Sequence, residues 1–171
     1  MPLVRKRHDK IVDILIDFIK KKVENQKDWT ITKEKRFEFC ASLDQYPDII
    51  CRNDKTKKYF IIDVKCPEDT EERLINVDRE NLEKYEILRD AAERFLPQEE
   101  NWSAKLFTFV IGSIGSWYPD NMKILNAFKI SRDFKQELLE KCAKSCINSS
   151  LLTWENFSQG KKTQGSLVTA D

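Results

Sequence analysis

At 171 residues, with 40% hydrophobic and 35% charged residues, the chain has the length and composition of a single globular domain with a sizeable core. No apolar run is long enough to span a membrane, and "MPLVRKRHDK" shows no apolar signal-peptide core, so an intracellular protein, cytosolic or nuclear, is expected. A net charge of +1 excludes a basic field over the whole molecule, but residues 1–65 hold 16 Lys/Arg against 11 Asp/Glu while residues 66–100 hold 5 against 12, so a polyanion would have to use a local basic surface.

Residues 6–24 are predicted to form a helix, with Ile11, Val12, Leu15, Ile16, Ile19 and Val23 on one apolar face. "WTIT" (29–32) reads as a short strand, and "RFEF" (36–39) continues or flanks it. Ile49–Cys51 and Tyr59–Val64 read as two strands joined by the polar turn "RNDKTKK". Residues 70–95 carry helical period, with Pro97 just past the end. Leu106–Ile111 reads as a buried strand, relaxed by Gly112 and Gly115, and shorter helices are expected near 121–129, 132–147 and 149–157 before a frayed tail at 158–171. The order helix, three strands, helix, strand, helices implies a mixed α/β fold, a sheet with helices packed on it. The domain spans 1–157, with its core over about 6–115 and C-terminal helices over about 120–157.

Two carboxylates stand out in "YPDIICRNDKTKKYFIIDVKCPED". Strand residues alternate between the faces of a sheet, so Tyr59, Ile61, Asp63 and Lys65 share one face. Folding the hairpin symmetrically about Lys55–Thr56 sets Asp48 directly opposite Asp63, where like charges weaken the pairing. A divalent cation removes that repulsion, and hard oxygen ligands suit Mg2+ (or Mn2+). Lys65 emerges beside the same place, where its ammonium can orient a water or stabilise charge on a phosphate. The other reading is an ordinary hairpin with structural aspartates, and a register slip of one residue would separate them.

The "PD", the polar hairpin and the "DVK" that follows resemble the PD-(D/E)XK restriction-like nucleases, and the element order is similar to the αβββαβ core of that superfamily. More specifically, "RHDKIVDIL", the hairpin segment, "NLEKYEILRD", "FVIGSIGSWYPDNMKIL" and "INSSLLTW", in that order, resemble the C-terminal endonuclease of site-specific non-LTR retrotransposons. The resemblance implies a restriction-endonuclease-like fold and a metal-dependent endonuclease that nicks DNA for retrotransposition. Asp48 and Asp63 then match the metal-binding acids, and Lys65 matches the superfamily's lysine. In the retrotransposon branch a catalytic lysine often comes instead from a Lys-Xaa-Xaa-Lys-Tyr pattern on the following helix. This chain has Asn81-Leu82-Glu83-Lys84-Tyr85 there, so Lys65 and Lys84 are both candidates, with Lys65 favoured. The implied partners are DNA and a reverse transcriptase region of the same polyprotein, whose Tyr-Xaa-Asp-Asp motif this chain does not carry, and a nuclear location follows.

Two alternatives stay open: a DNA-binding or protein-interaction module that kept the fold and lost cleavage, as Asn81 suggests, and a structural domain whose acids merely bind a cation. His8, the only histidine, lies near the chain start among charges and reads as structural or surface. The basic clusters Lys20–Lys22, Lys33–Arg36 and Lys55–Lys58 read either as phosphate contacts or as solvated faces. Trp102, Trp117 and Trp154 read as packing residues, Tyr85 as core, and the five cysteines as reduced thiols.

Overall fold

The computed structural model describes residues 3–39 and 45–159; the expected tail lies almost wholly outside them, as does Cys40. In chain order come α1 (Leu3–Lys22), β1 (Thr30–Lys33), β2 (Ile49–Asn53), β3 (Lys58–Lys65), α2 (Glu71–Phe95), β4 (Ser103–Val110), α3 (Met122–Ala127) and α4 (Lys135–Ser158). The four strands form one mixed sheet in the order β1-β2-β3-β4, antiparallel except for the parallel pair β3–β4. A parallel pair needs a crossover, and α2 supplies it.

Alternation along β3 explains the layers. Phe60, Ile62 and Val64 face one cluster with Ile11, Leu15 and Ile19 of α1 and Leu138, Cys142 and Cys146 of α4. Tyr59 and Ile61 face the opposite cluster with Tyr85, Leu88 and Ala92 of α2. The sheet is thus buried on both sides, and six consecutive residues of β3 are buried, as a central strand requires. Helix α2 starts at the Thr70 cap, whose hydroxyl accepts from the Arg73 N–H, has Glu71 and Glu72 in its first turn, and stops before Pro97.

Several expectations change in detail. "RFEF" is not a strand, although Phe37 is buried against the α2 side of the sheet. The two last helices expected at 132–147 and 149–157 are one, because Asn148 and Ser149 at the proposed break carry no residue that forbids helical backbone. Its last turns leave Trp154 67% exposed, so that ring does not pack into the core as expected. Trp117 does, edge-on to Phe109. Four cysteines are described, all free, three of them buried. Among the described residues no helix is long and apolar enough to cross a membrane.

The segment after β4 is tied down. Asp69 accepts hydrogen bonds from the Ser113 hydroxyl and from the backbone N–H groups of Ile114 and Ser116. A Cβ on Gly112 would fall 2.1 Å from the Asp69 carboxylate, so this glycine serves close approach. Val110 lies in register with Lys65, and Ile111 N–H donates to the Lys65 carbonyl, which turns the N–H and C=O of Val110 away from β3. The buried Asn121 side chain takes both, accepting from Val110 N at 2.8 Å and donating to Val110 O at 2.6 Å. One amide thus completes a free sheet edge at the site end of β4. Asn121→Ala leaves both groups buried without partners and is expected to lower the unfolding free energy by about 2–4 kcal/mol in urea titration. A loss under about 0.5 kcal/mol would mean that this edge is satisfied otherwise.

Candidate active site

The ladder between β2 and β3 has the register expected from turn symmetry: Ile49 pairs with Ile62, and Asn53 with Lys58. Asn53 helps fix it, since its Oδ1 accepts the Thr56 N–H at 2.8 Å and so holds the turn. One step further the register sets Asp48 against Asp63. Asp48 itself lies just before β2, not within it, and its side chain takes over where the backbone pairing ends. Asp48 Oδ2 accepts the Val64 N–H at 2.6 Å. Both carboxylates are buried, Asp48 8% and Asp63 2% exposed.

Their electrostatics differ. Burial pushes the Asp63 carboxyl up, and the Asp48 charge pushes it further, against the opposing pull of Lys65 and of a hydrogen bond from Tyr85. Burial also acts to raise Asp48, but His8, the Val64 N–H and Lys65 together hold it below the ordinary carboxylate range. Asp48 is therefore the better-satisfied anion, and Asp63 the one short of positive charge. Lys65 Nζ makes an ion pair with Asp63 Oδ2, yet that buried oxygen has no aligned hydrogen-bond donor. An oxygen so placed is open to a cation.

Helix α2 contributes from one face, as its three-and-four spacing requires. Asn81, buried, donates to Thr108 Oγ1 at 3.1 Å, and Thr108 is the residue in register with Asp63. The Tyr85 phenol is more than core: it reaches Asp63, and burial beside that charge pushes its own pKa up. Lys84 is exposed, with Nζ 3.2 Å from the Tyr85 hydroxyl and 4.5 Å from the centre of its ring. The structure thus brings Asp48, Asp63 and Lys65 together directly, and Lys84 only through Tyr85.

His8 is not a surface residue apart from the site. α1 carries it to the same corner, where Nε2 lies 3.2 Å from Asp48 Oδ2 and 3.1 Å from the Val64 carbonyl oxygen, and Nδ1 lies 3.2 Å from Asp9 Oδ1. The hydrogen bond to Asp48 outweighs burial and raises the imidazole pKa to about 9. A pocket of about 390 Å3 opens there, lined by Arg5, His8, Asp9, Glu34, Tyr46 and Asp48. The signal in the sequence was the spacing of α1: His8 stands three and four residues before Ile11 and Val12, on the buried stripe. Among the described residues no group of three or more His, Cys, Asp and Glu side chains forms a ready metal cage. An ion here would rest on two carboxylates together with backbone oxygen and water, a donor set that suits Mg2+.

The basic clusters are largely neutralised by partners. Lys22 pairs with Glu137, Lys33 with Asp13, Lys55 with Asp28 and Lys57 with Glu100. Comparison with protein-family models and with curated proteins returns no match.

Because the two carboxylates face each other, Asp63→Asn removes a like-charge opposition and keeps the shape. The variant is expected to match the wild type in urea denaturation or exceed it by up to about 1 kcal/mol. A loss larger than about 1 kcal/mol would show that the Lys65 pair, and not the repulsion, dominates at Asp63.

Proposed function

We propose that the chain is a metal-dependent DNA endonuclease that hydrolyses phosphodiesters and nicks a target site, as its resemblance to the endonuclease of site-specific non-LTR retrotransposons implies. The observation that carries this reading is the corner itself: two opposed buried carboxylates, one lacking an aligned donor, with a lysine beside them at the open end of a sheet. The element order α, three strands, α, strand is the one a restriction-endonuclease-like core would have, and it supports the reading. DNA is the proposed partner, with a reverse transcriptase region of the same polyprotein beyond this chain and a nuclear location.

The residues fit a divalent cation, since the donors are hard oxygens and Asp63 Oδ2 is short of a partner. When bound, Mg2+ or Mn2+ supplies Lewis-acid charge to a phosphate and lowers the pKa of a coordinated water. The chain's own residues do the rest. Asp48 and Asp63 hold the ion, and the Val64 N–H fixes the Asp48 carboxylate. Tyr85 orients Asp63 from α2. The Lys65 ammonium, held by strand geometry on the face of Asp63, opposes the negative charge that develops on the phosphate without reorganising.

One observation favours a second reading, a DNA-binding or protein-interaction module without cleavage. Asn81, at a position where the family's pattern has lysine, is buried and bonded to Thr108, and offers no charge. Supercoiled plasmid incubated with the protein in Mg2+ and in EDTA separates the two: nicking only with Mg2+ supports the endonuclease, whereas retention of DNA in a gel shift without nicking supports the module. Asp63→Asn is expected to abolish nicking while DNA retention persists, and full activity in that variant would remove Asp63 from the mechanism. Lys65→Ala is expected to slow single-turnover nicking at saturating Mg2+ at least about tenfold more than Lys84→Ala, a difference of about 1.4 kcal/mol in barrier. The reverse order would assign the catalytic lysine to α2.

A further inference from the structure

We propose that His8 Nε2 is itself a ligand of the ion, completing with the Asp48 carboxylate and the Val64 carbonyl a mixed nitrogen–oxygen set that favours Mn2+ over Mg2+. The inference rests on the reading of Asp48 and Asp63 as ion ligands given above. Its basis is a contact among three electron-rich atoms. Nε2 lies 3.2 Å from Asp48 Oδ2 and 3.1 Å from Val64 O, and both oxygens are fixed, one by the Val64 N–H and the other as part of β3. Adjacent ligands of a six-coordinate ion with bonds of about 2.1 Å stand about 3 Å apart, so these separations are those of neighbouring coordination positions.

The other ring nitrogen supplies an independent observation. Nδ1 stands 3.2 Å from Asp9 Oδ1, and a carboxylate there accepts the Nδ1 proton. Histidines that bind metals commonly donate their second N–H to a carboxylate, which fixes the tautomer and makes the free nitrogen more basic. With the proton on Nδ1, the lone pair of Nε2 points at two oxygens, and only a positive centre between them makes that arrangement favourable. A proton provides one such centre and a divalent cation another. An imidazole nitrogen in place of a water or oxygen moves a site along the affinity order of the divalent first-row metals and away from Mg2+, which strongly prefers oxygen. The ion therefore draws on both layers of the fold: His8 from α1 on one side of the sheet, and Asp63, braced by Tyr85 of α2, on the other.

The chain has one histidine, so the test is unambiguous. Mn2+ is added to the untagged full chain, binding is followed by calorimetry, and pulsed electron spin-echo modulation is recorded for directly bound nitrogen. The expected result is Mn2+ binding at least about tenfold tighter than Mg2+ binding, with modulation from one imidazole nitrogen. His8→Gln is expected to lose the nitrogen signal and to narrow the preference for Mn2+. Mn2+ binding that depends on Asp63 but shows no bound nitrogen would overturn the role of His8 and leave the carboxylate site standing. Absence of Mn2+ and Mg2+ binding in the wild-type chain would overturn both.

Discussion

The bond from the Val64 N–H to Asp48 Oδ2 is the constraint on which the site depends. It stands where the backbone ladder of the β2–β3 hairpin stops, and it substitutes a side-chain acceptor for a backbone one. Because it is made, Asp48 is held against the end of β3, and Asp63 and Lys65 on that strand cannot avoid it. Because Asp48 is a charged acceptor, the bond is stronger than the ladder bond it follows. The charge it retains faces Asp63, is met by His8, and leaves a local excess of negative potential in a buried corner.

Such a corner works against the stability of the fold. Opposed carboxylates weaken a hairpin, and burial makes each of them costlier. The surroundings compensate at fixed points: Lys65 at Asp63, His8 at Asp48, Tyr85 over Asp63, and Asn81 with Thr108 beneath. The neighbouring edge of the sheet is completed by Asn121, and the segment after it by Asp69, so the compensation sits on rigid backbone. Strain confined to one end of a well-packed sheet is what a binding centre for a cation needs.

Much of this was legible in the sequence. The β-branched and aromatic run of β3 and the polar turn before it determine the hairpin register, and the register determines that Asp48 and Asp63 converge. The helix over 70–95 and the strand after it follow from period, cap and proline. What was not legible depended on tertiary packing. His8 looked peripheral because its partners, Asp48 and Val64, lie 40 and 56 residues away in sequence. Tyr85 looked like core because nothing local shows that its hydroxyl meets Asp63. "RFEF" has strand-forming residues but no strand beside it to pair with, since the outer position next to β2 is taken by β1. The single helix α4 was divided because its polar interruption at Asn148–Ser150 looked like a boundary, although packing against α1 carries it through, with Arg7 reaching the Ser150 hydroxyl.

The central claim is that Asp48 and Asp63 hold one divalent cation between them. Crystals of the full chain grown with Mn2+ and measured at a wavelength where manganese scatters anomalously test it most directly. One anomalous peak within coordination distance of both the Asp48 and Asp63 carboxylates is the expected result. A map with no peak at that corner at saturating Mn2+, and with Lys65 still seated on Asp63, would contradict it.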